Sequence, residues 1–282
     1  MQLRRCVKTC AFVLLIGFMM FALFACDPNS NGNSSSQNKG IISTNGSTSM
    51  EKVIGALSEA YMQDNSGVTI TYDATGSGTG IESAKNGSCD LGLSSRKLKD
   101  SESGLKSYTV ALDGIVLITS SQNNVDNLTL EQVSDIFTGK ITNWKEVGGE
   151  DAEIACIGRE AGSGTRDGFE SITKTSDSCK LSQELTSTGA VLTAVASSKN
   201  AIGYASLSTV ESKTDIKKIS IDGVECTEQT VIDSTYKIQR PFNIIVSQDK
   251  ELSSTAQDFL DFCLSNSVSS IIEKAGAIPV NK

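Results

Sequence analysis

Short apolar runs that end in Gly/Ser turns and lead into amphipathic segments recur along this chain of 282 residues. Few folds accommodate that alternation. Residues 41–44 read as a buried strand and Asn45-Gly46-Ser47-Thr48-Ser49 as a turn. Met50, Val53, Ile54, Leu57 and Tyr61 then fall on one helical face. Residues 68–72 repeat the strand, 74–80 the turn, and 81–85 a helix start. A third strand, 91–93, ends at Ser94-Ser95-Arg96. A fourth apolar run, 152–157, ends in Arg159-Glu160-Ala161-Gly162-Ser163-Gly164-Thr165-Arg166 and opens an amphipathic segment at 167–172. Strands that alternate with helices predict an α/β protein with largely parallel sheets. In such sheets ligands collect beyond the carboxyl ends of strands, where each of these turns falls.

The turn at 159–166 carries the most chemistry. The first-turn amides of a helix have no intrahelical partner, and the helix dipole adds partial positive charge there. Two hydroxyls (Ser163, Thr165) and two guanidiniums (Arg159, Arg166) share eight residues with nothing bulky, so an oxyanion can approach the backbone. A single Gly/Ser turn is more often only a steric necessity. Three such turns together with Ser94-Ser95-Arg96 shift the balance towards a site. Arg159, between strand and helix, reads as a buried bidentate group rather than a surface ion pair. The net charge is −8, so such a site must rest on local donors rather than on a global field.

Several chemistries are disfavoured. The acidic composition lacks the basic stripe that nucleic acid requires. Gly76-x-Gly78-x-Gly80 is not the dinucleotide spacing, and no Walker loop is present. Histidine is absent, which removes Ser-His-Asp and Cys-His catalysis and His-ligated metals. A hydrolase using Ser163 would need a Lys or carboxylate base, and no S-x-x-K motif sits there. The chain is therefore expected to be no enzyme, with neither cofactor nor metal.

The first 25 residues read as a signal peptide. Arg4, Arg5 and Lys8 precede an apolar stretch, 11–25, that is short for a membrane span. Leu23-Phe24-Ala25-Cys26 resembles a bacterial lipobox, which makes Cys26 the candidate lipidation site. An ordinary signal peptide and an uncleaved anchor are the alternatives. Residues 26–39, rich in Asn, Ser and Gly, read as a flexible tether. Loss of residues 1–25 removes three positive charges and no negative ones, leaving −11. Cys89, Cys156, Cys179, Cys226 and Cys263 form no CxxC pair. One or two disulfides and free buried thiols are equally compatible with their spacing.

Further along, residues 114–119 form a strong strand. Residues 128–137 are a helix with Thr129 as N-cap and Gly139 as its stop. Trp144 reads as a packing residue. Residues 189–197 are a helix of small and apolar residues, followed by a strand through 201–205. Gln239-Arg240-Pro241-Phe242 precedes the strand 243–246, and 256–264 and 268–274 are closing helices.

Residues 40–282 resemble the phosphate-binding lipoproteins of the phosphate ABC importer. The resemblance is carried by GSTSM (46–50), TGSGTGI (75–81), SSRKL (94–98), LEQVSDIFTGKITNWKEVGG (130–149), REAGSGTRDGF (159–169), AIGYASL (201–207) and RPF (240–242). It implies a two-lobed, type II periplasmic-binding-protein-like α/β fold whose lobes are joined by two crossing hinge strands, near 114–119 and 239–242. Lobe 1 would comprise 40–115 and 242–282, and lobe 2 residues 116–241. The resemblance also implies phosphate contacts from Thr48 and Ser49 with the adjacent Ser47, from Ser77, and from Arg159, Ser163, Gly164 and Thr165. Ser95 and Arg96 are further candidate phosphate contacts, and Ser95 stands where well-studied members carry an aspartate that accepts the proton of hydrogen phosphate. Serine repels an unprotonated dianion less, and Arg96 favours either anion. Glu160 and Asp73 are candidate replacement acceptors.

The implied function is capture of inorganic phosphate by a monomeric protein. It would be lipid-anchored to the bilayer on the extracytoplasmic face of the cell membrane and deliver to two permease subunits and an ATPase. A binding protein for sulfate or another oxyanion, a serine phosphatase, and an adhesin or signalling protein with a vestigial pocket are the rivals.

Overall fold

The computed structural model describes residues 40–211 and 213–280. The signal peptide, Cys26 and the tether lie outside the described residues. The first part of the fold runs β1 (Gly40–Gly46), α1 (Glu51–Asp64), β2 (Val68–Ala74), α2 (Ser77–Asn86), β3 (Leu91–Ser94) and β4 (Leu105–Ser120). Next come β5 (Asn127–Leu128), α3 (Leu130–Thr138), β6 (Ala155–Arg159), α4 (Gly164–Thr173), β7 (Gln183–Leu185), α5 (Thr188–Ala196), β8 (Ala201–Ser206) and α6 (Leu207–Val210). The chain ends with β9 (Ile216–Ile221), α7 (Glu228–Ile232), β10 (Gln239–Ser247), α8 (Ser254–Leu264), α9 (Ser269–Lys274) and β11 (Ile278–Pro279). Among the described residues no helix is long and apolar enough to cross a membrane.

The strands follow the order β2-β1-β3-β10-β4-β8-β6-β7. β1 lies parallel to β2 and β3, in a register that brings Gly46 level with Ala74 and Leu93. β6 lies parallel to β7 and β8, with Arg159 level with Leu185. The parallel strands of each half therefore end at one edge, and the turns that follow share it. This is the α/β arrangement expected from the alternation of runs.

β4 and β10 link the halves. β4 pairs antiparallel with β10 from Leu105↔Ser247 to Gly114↔Gln239, then continues through Ile115–Thr119 against β8. β4 begins nine residues before the strand expected from its apolar run. Its first half is amphipathic, with Lys106 and Ser107 exposed. The β4–β10 pairing ends at Gly114 and Gln239.

Among the described residues, besides a smaller apolar core of Ile81, Ala84, Cys89, Leu105 and Ile245, two large ones flank the crossing. One gathers Ile42, Val53, Leu57, Leu93, Phe242, Ile244 and Phe259, with Tyr61 edge-on to Phe259 at 5.2 Å. The other gathers Val116, Ile118, Phe137, Trp144, Phe169, Ile202 and Tyr204, with Phe169 stacked on Tyr204 at 4.2 Å. Ile278, near the chain end, packs into this second core through the pairing of β11 with β4. Trp144 is buried, and its indole N–H donates to the Asn200 carbonyl at 2.9 Å, a packing role. α3 has the expected cap, with Thr129 and Gln132 forming a capping box and Gly139 closing the helix in the left-handed region. Cys89, Cys156, Cys179, Cys226 and Cys263 are free thiols.

Candidate functional site

The first half of the site rests on close main-chain contact. A Cβ on Gly80 would meet the Asn45 carbonyl at 2.5 Å and Gly46 Cα at 2.6 Å, and one on Gly92 would collide with the Gly80 carbonyl. Glycine at both positions lets the first turn of α2 lie directly on β1 and β3. Ser47, Ser77 and Ser95 converge as a result. Ser47 Oγ donates to Ser95 Oγ at 2.8 Å, Ser95 N donates to Ser77 Oγ at 3.0 Å, and the Ser77 and Ser95 hydroxyls share a 3.2 Å hydrogen bond. All three are buried.

The second half closes on it. Arg159, at the end of β6, donates through Nη1 to Thr48 Oγ1 at 2.8 Å and Thr188 Oγ1 at 3.2 Å. Ser49 Oγ lies 2.8 Å from Thr165 Oγ1 and 3.1 Å from Thr188 Oγ1. Gly78 N donates to the Gly162 carbonyl at 2.9 Å. Gly164 stands against both serines, because a Cβ there would collide with Ser77 Oγ and meet Ser95 Oγ at 2.7 Å. Ser163 caps α4 by accepting from Arg166 N. The starts of α2, α4 and α5 and the helical turn at Thr48–Met50 thus meet at one buried point, which concentrates first-turn amides and dipole ends there.

Two guanidiniums anchor the hydroxyls, and each has its own carboxylate. Arg159 is held by Glu160 Oε1 at 2.8 Å and by the carbonyls of Leu185 and Thr186. Arg240, buried at the strand crossing, donates from Nε and Nη2 to Asp113 Oδ2 at 3.2 and 3.0 Å, and from Nη1 to Ser95 Oγ. Ser206 donates to the other Asp113 oxygen at 2.7 Å. Burial pushes the Asp113 carboxyl up, and Arg240 and Ser206 oppose it. Burial likewise pushes Arg240 down while Asp113 opposes, and the guanidinium keeps its proton. With both cations paired, an anion here would be held by directed donors rather than by excess positive charge. Two phenols complete the frame. Tyr204 Oη accepts from Arg159 N, and Tyr72 Oη donates to the Ser47 carbonyl; burial pushes both phenols well above their usual range.

Of the residues singled out from the sequence, Ser47, Thr48, Ser49, Ser77, Ser95, Arg159, Ser163, Gly164 and Thr165 come together. Arg96 does not join them. Asn243 and Ser94 hold its carbonyl, and its guanidinium turns to Glu102 at 2.8 and 2.7 Å and to Asp167 at 2.9 Å. Ser95 and Arg96 both follow the end of β3 at a bend, where Ser95 faces Ser47 and Ser77 while Arg96 is drawn to Glu102 and Asp167. Asp73 is exposed, whereas Glu160 lies at the cluster edge with its Oε2 buried and unpartnered. Thr188, Asp113 and the contact role of Arg240 were missed. Thr186-Ser187-Thr188 before a helix is the signal that would have found the first of these.

This assembly is familiar among known proteins. A family model described as the PBP superfamily domain matches residues 31–267. The chain belongs to the PBP superfamily. Relatives include the phosphate-binding protein PstS of Borreliella burgdorferi, 30% identical over 86% of this chain and 91% of its own. PstS of Bacillus subtilis is 29% identical over 97% and 94%. A Clostridium perfringens chain assigned as a phosphate ABC transporter substrate-binding protein, solved with phosphate bound, superposes with a TM-score of 0.80. It shares 39% identity, covering 86% of this chain and all of that one. An ABC-type phosphate transport receptor of Vibrio cholerae gives 0.70 at 34% identity, over 84% and 99%. Membership of this superfamily agrees with a two-lobed α/β fold.

Proposed function

We propose that this chain is an extracytoplasmic solute-binding protein that captures inorganic phosphate between its lobes and delivers it to the permease of an ABC importer. The observation that carries the reading is the buried donor cluster drawn from both lobes, in which Arg159 of one reaches Thr48 of the other. Phosphate would displace the hydroxyl–hydroxyl contacts and take up charge-assisted donors and helix-start amides in their place. Because the donors come from both sides, the ligand favours the closed state over the open one. The names of the relatives support phosphate as the ligand.

In this reading lobe 1 spans 40–115 and 242–280, except that Ile278 packs into the core of lobe 2, lobe 2 spans 116–241, and β4 and β10 serve as the hinge. The contacts to phosphate are Ser47, Thr48, Ser49, Ser77, Ser95, Arg159, Ser163, Gly164 and Thr165, with Thr188 added. Lipidation at Cys26 would keep the protein beside two permease subunits and their ATPase. A hydrolase reading finds less support, because the Ser163 hydroxyl accepts from Arg166 N and, among the described residues, no Lys or carboxylate is hydrogen-bonded to it as a base.

Calorimetric titration with phosphate, arsenate and sulfate tests the proposal. Phosphate is expected to bind, and Arg159→Ala to weaken it about 10- to 100-fold, the loss of a charge-assisted contact worth about 1.5–3 kcal/mol. Sulfate binding as tightly as phosphate would overturn the assignment.

A further inference from the structure

Outside the hydroxyl cluster a second set of groups joins the lobes. Arg96 follows β3 in the first lobe, and Asp167 lies in the first turns of α4 in the second. Arg96 Nε is 2.9 Å from Asp167 Oδ2, and Lys99 Nζ is 3.1 Å from the same oxygen. Glu102 holds the Arg96 guanidinium from its own side through both carboxylate oxygens, and Glu102 Oε2 also accepts from Lys99 N at 2.8 Å. Arg96 is thus fixed by its own lobe and aimed across. Both Arg96 Nε and Asp167 Oδ2 are buried and lack any aligned hydrogen bond, so their attraction is chiefly electrostatic. A groove of 560 Å³, lined by Arg96, Lys99, Asp167, Ile172 and Pro241 among others, runs beside them and admits solvent ions.

The positions along the chain give this contact its meaning. Ser95 and Arg96 are adjacent, and Thr165 and Asp167 are two residues apart. Gly164, three residues before Asp167, lies against Ser95, so whatever draws Ser95 and Gly164 together brings Arg96 to Asp167. We propose that Arg96 and Asp167, with Lys99, form an ionic clasp that holds the closed lobes together, so that Arg96 acts on ligand retention without touching the ligand. The proposal rests on the phosphate-binding reading. Contact and ligand are linked thermodynamically, each favouring the same closed state.

The test is stopped-flow measurement of phosphate association and release on the full chain, at about 0.05 M and about 0.5 M NaCl, where screening differs strongly. Asp167→Asn should release phosphate about 2- to 5-fold faster at low salt, the range for a partly exposed ion pair, with association unchanged. Wild type should approach the variant at high salt, while the variant responds little to salt. Arg96→Gln should have the same effect, and the double variant should be no worse than either single one. Release from Asp167→Asn at the wild-type rate overturns the clasp. So does an Arg96→Gln penalty that persists in full on the Asp167→Asn background, since Arg96 would then contact the ligand. If wild type takes up no phosphate, the proposed function falls alone. The clasp is then judged by X-ray scattering of the free protein at low salt. A more open Asp167→Asn variant supports it, and equal radii overturn it.

Discussion

Arg240 Nη1 donates to Ser95 Oγ across 3.1 Å, from a guanidinium whose other nitrogens are held by Asp113. A guanidinium cannot accept, so this contact occupies one lone pair of Ser95. Ser47 Oγ–H occupies another. The Ser95 proton is therefore directed at Ser77 or at a ligand, so in the proposed reading Ser95 acts on phosphate as a donor.

Ser95→Ala should accordingly weaken phosphate binding about 5- to 10-fold, near the net value of one hydrogen bond, about 1 kcal/mol. Ser95→Asp supplies the acceptor. It should lower sulfate affinity more than phosphate affinity, because an unprotonated dianion meets a carboxylate with no proton between them. Calorimetry with both anions reads the ratio, and an unchanged ratio would contradict the donor assignment.

Gly164 touches Ser77 and Ser95 of the opposite lobe, and an added methyl has no room there when the lobes are closed. Gly164→Ala should fold normally, since the residue opens a helix where alanine is well tolerated. It should bind phosphate at least about tenfold more weakly, the range for overpacking a closed contact. Thermal melts without ligand should match wild type, and the stabilisation that phosphate confers should shrink. Undiminished ligand stabilisation would show that the lobes close differently.

Burial pushes the Cys89 thiol up to about 11, those of Cys156 and Cys179 to about 12, and Cys226 and Cys263 higher still. Thiolate, the reactive form, is scarce at neutral pH. Alkylation of the native protein followed by peptide mapping should leave Cys226 and Cys263 unlabelled until denaturant is added, with Cys179, the least buried, reacting first. Ready labelling of Cys226 in the native state would count against the packing described.

The Arg96 guanidinium holds the Glu102 carboxyl below its usual range, helped by Lys99 N–H. A lowered folded-state value means that the stabilisation is complete above the unfolded value of about 4.3 and is lost as pH falls through the lowered one. Melts between about pH 6 and about pH 3 should therefore fall less steeply in Glu102→Gln than in wild type below about pH 4.3. Parallel curves would show that Glu102 makes no such contribution.

The turn residues were legible in the sequence because steric and chemical demands coincide there. A strand-to-helix turn needs small residues, and an anion needs hydroxyls and amides. Thr188 escaped because α5 was expected to start at Gly189, where its apolar periodicity begins, and a first-turn threonine adds nothing to that pattern. Arg96 turns to Glu102 and Asp167, partners that its adjacency to Ser95 along the chain does not reveal. Asp113 and Arg240 are 127 positions apart, and nothing local marks them as partners. β9, Ile216–Ile221, reads Ile-Lys-Lys-Ile-Ser-Ile without regular alternation, and its pairing with β4 and β5 depends on contacts far away in sequence.

At Gly80 and Gly92 the first lobe is braced main chain against main chain. Side-chain cores yield when a methylene is added or lost, but peptide units in contact have no rotamers to exchange. The calibre of the cleft wall that carries Ser47, Ser77 and Ser95 is therefore set by covalent dimensions. Mutational drift in the surrounding core leaves that gauge untouched. A descendant of this chain adapted to a guest of another radius would have to re-lay the backbone itself, whereas one adapted to a guest of equal radius and different protonation needs only new side chains.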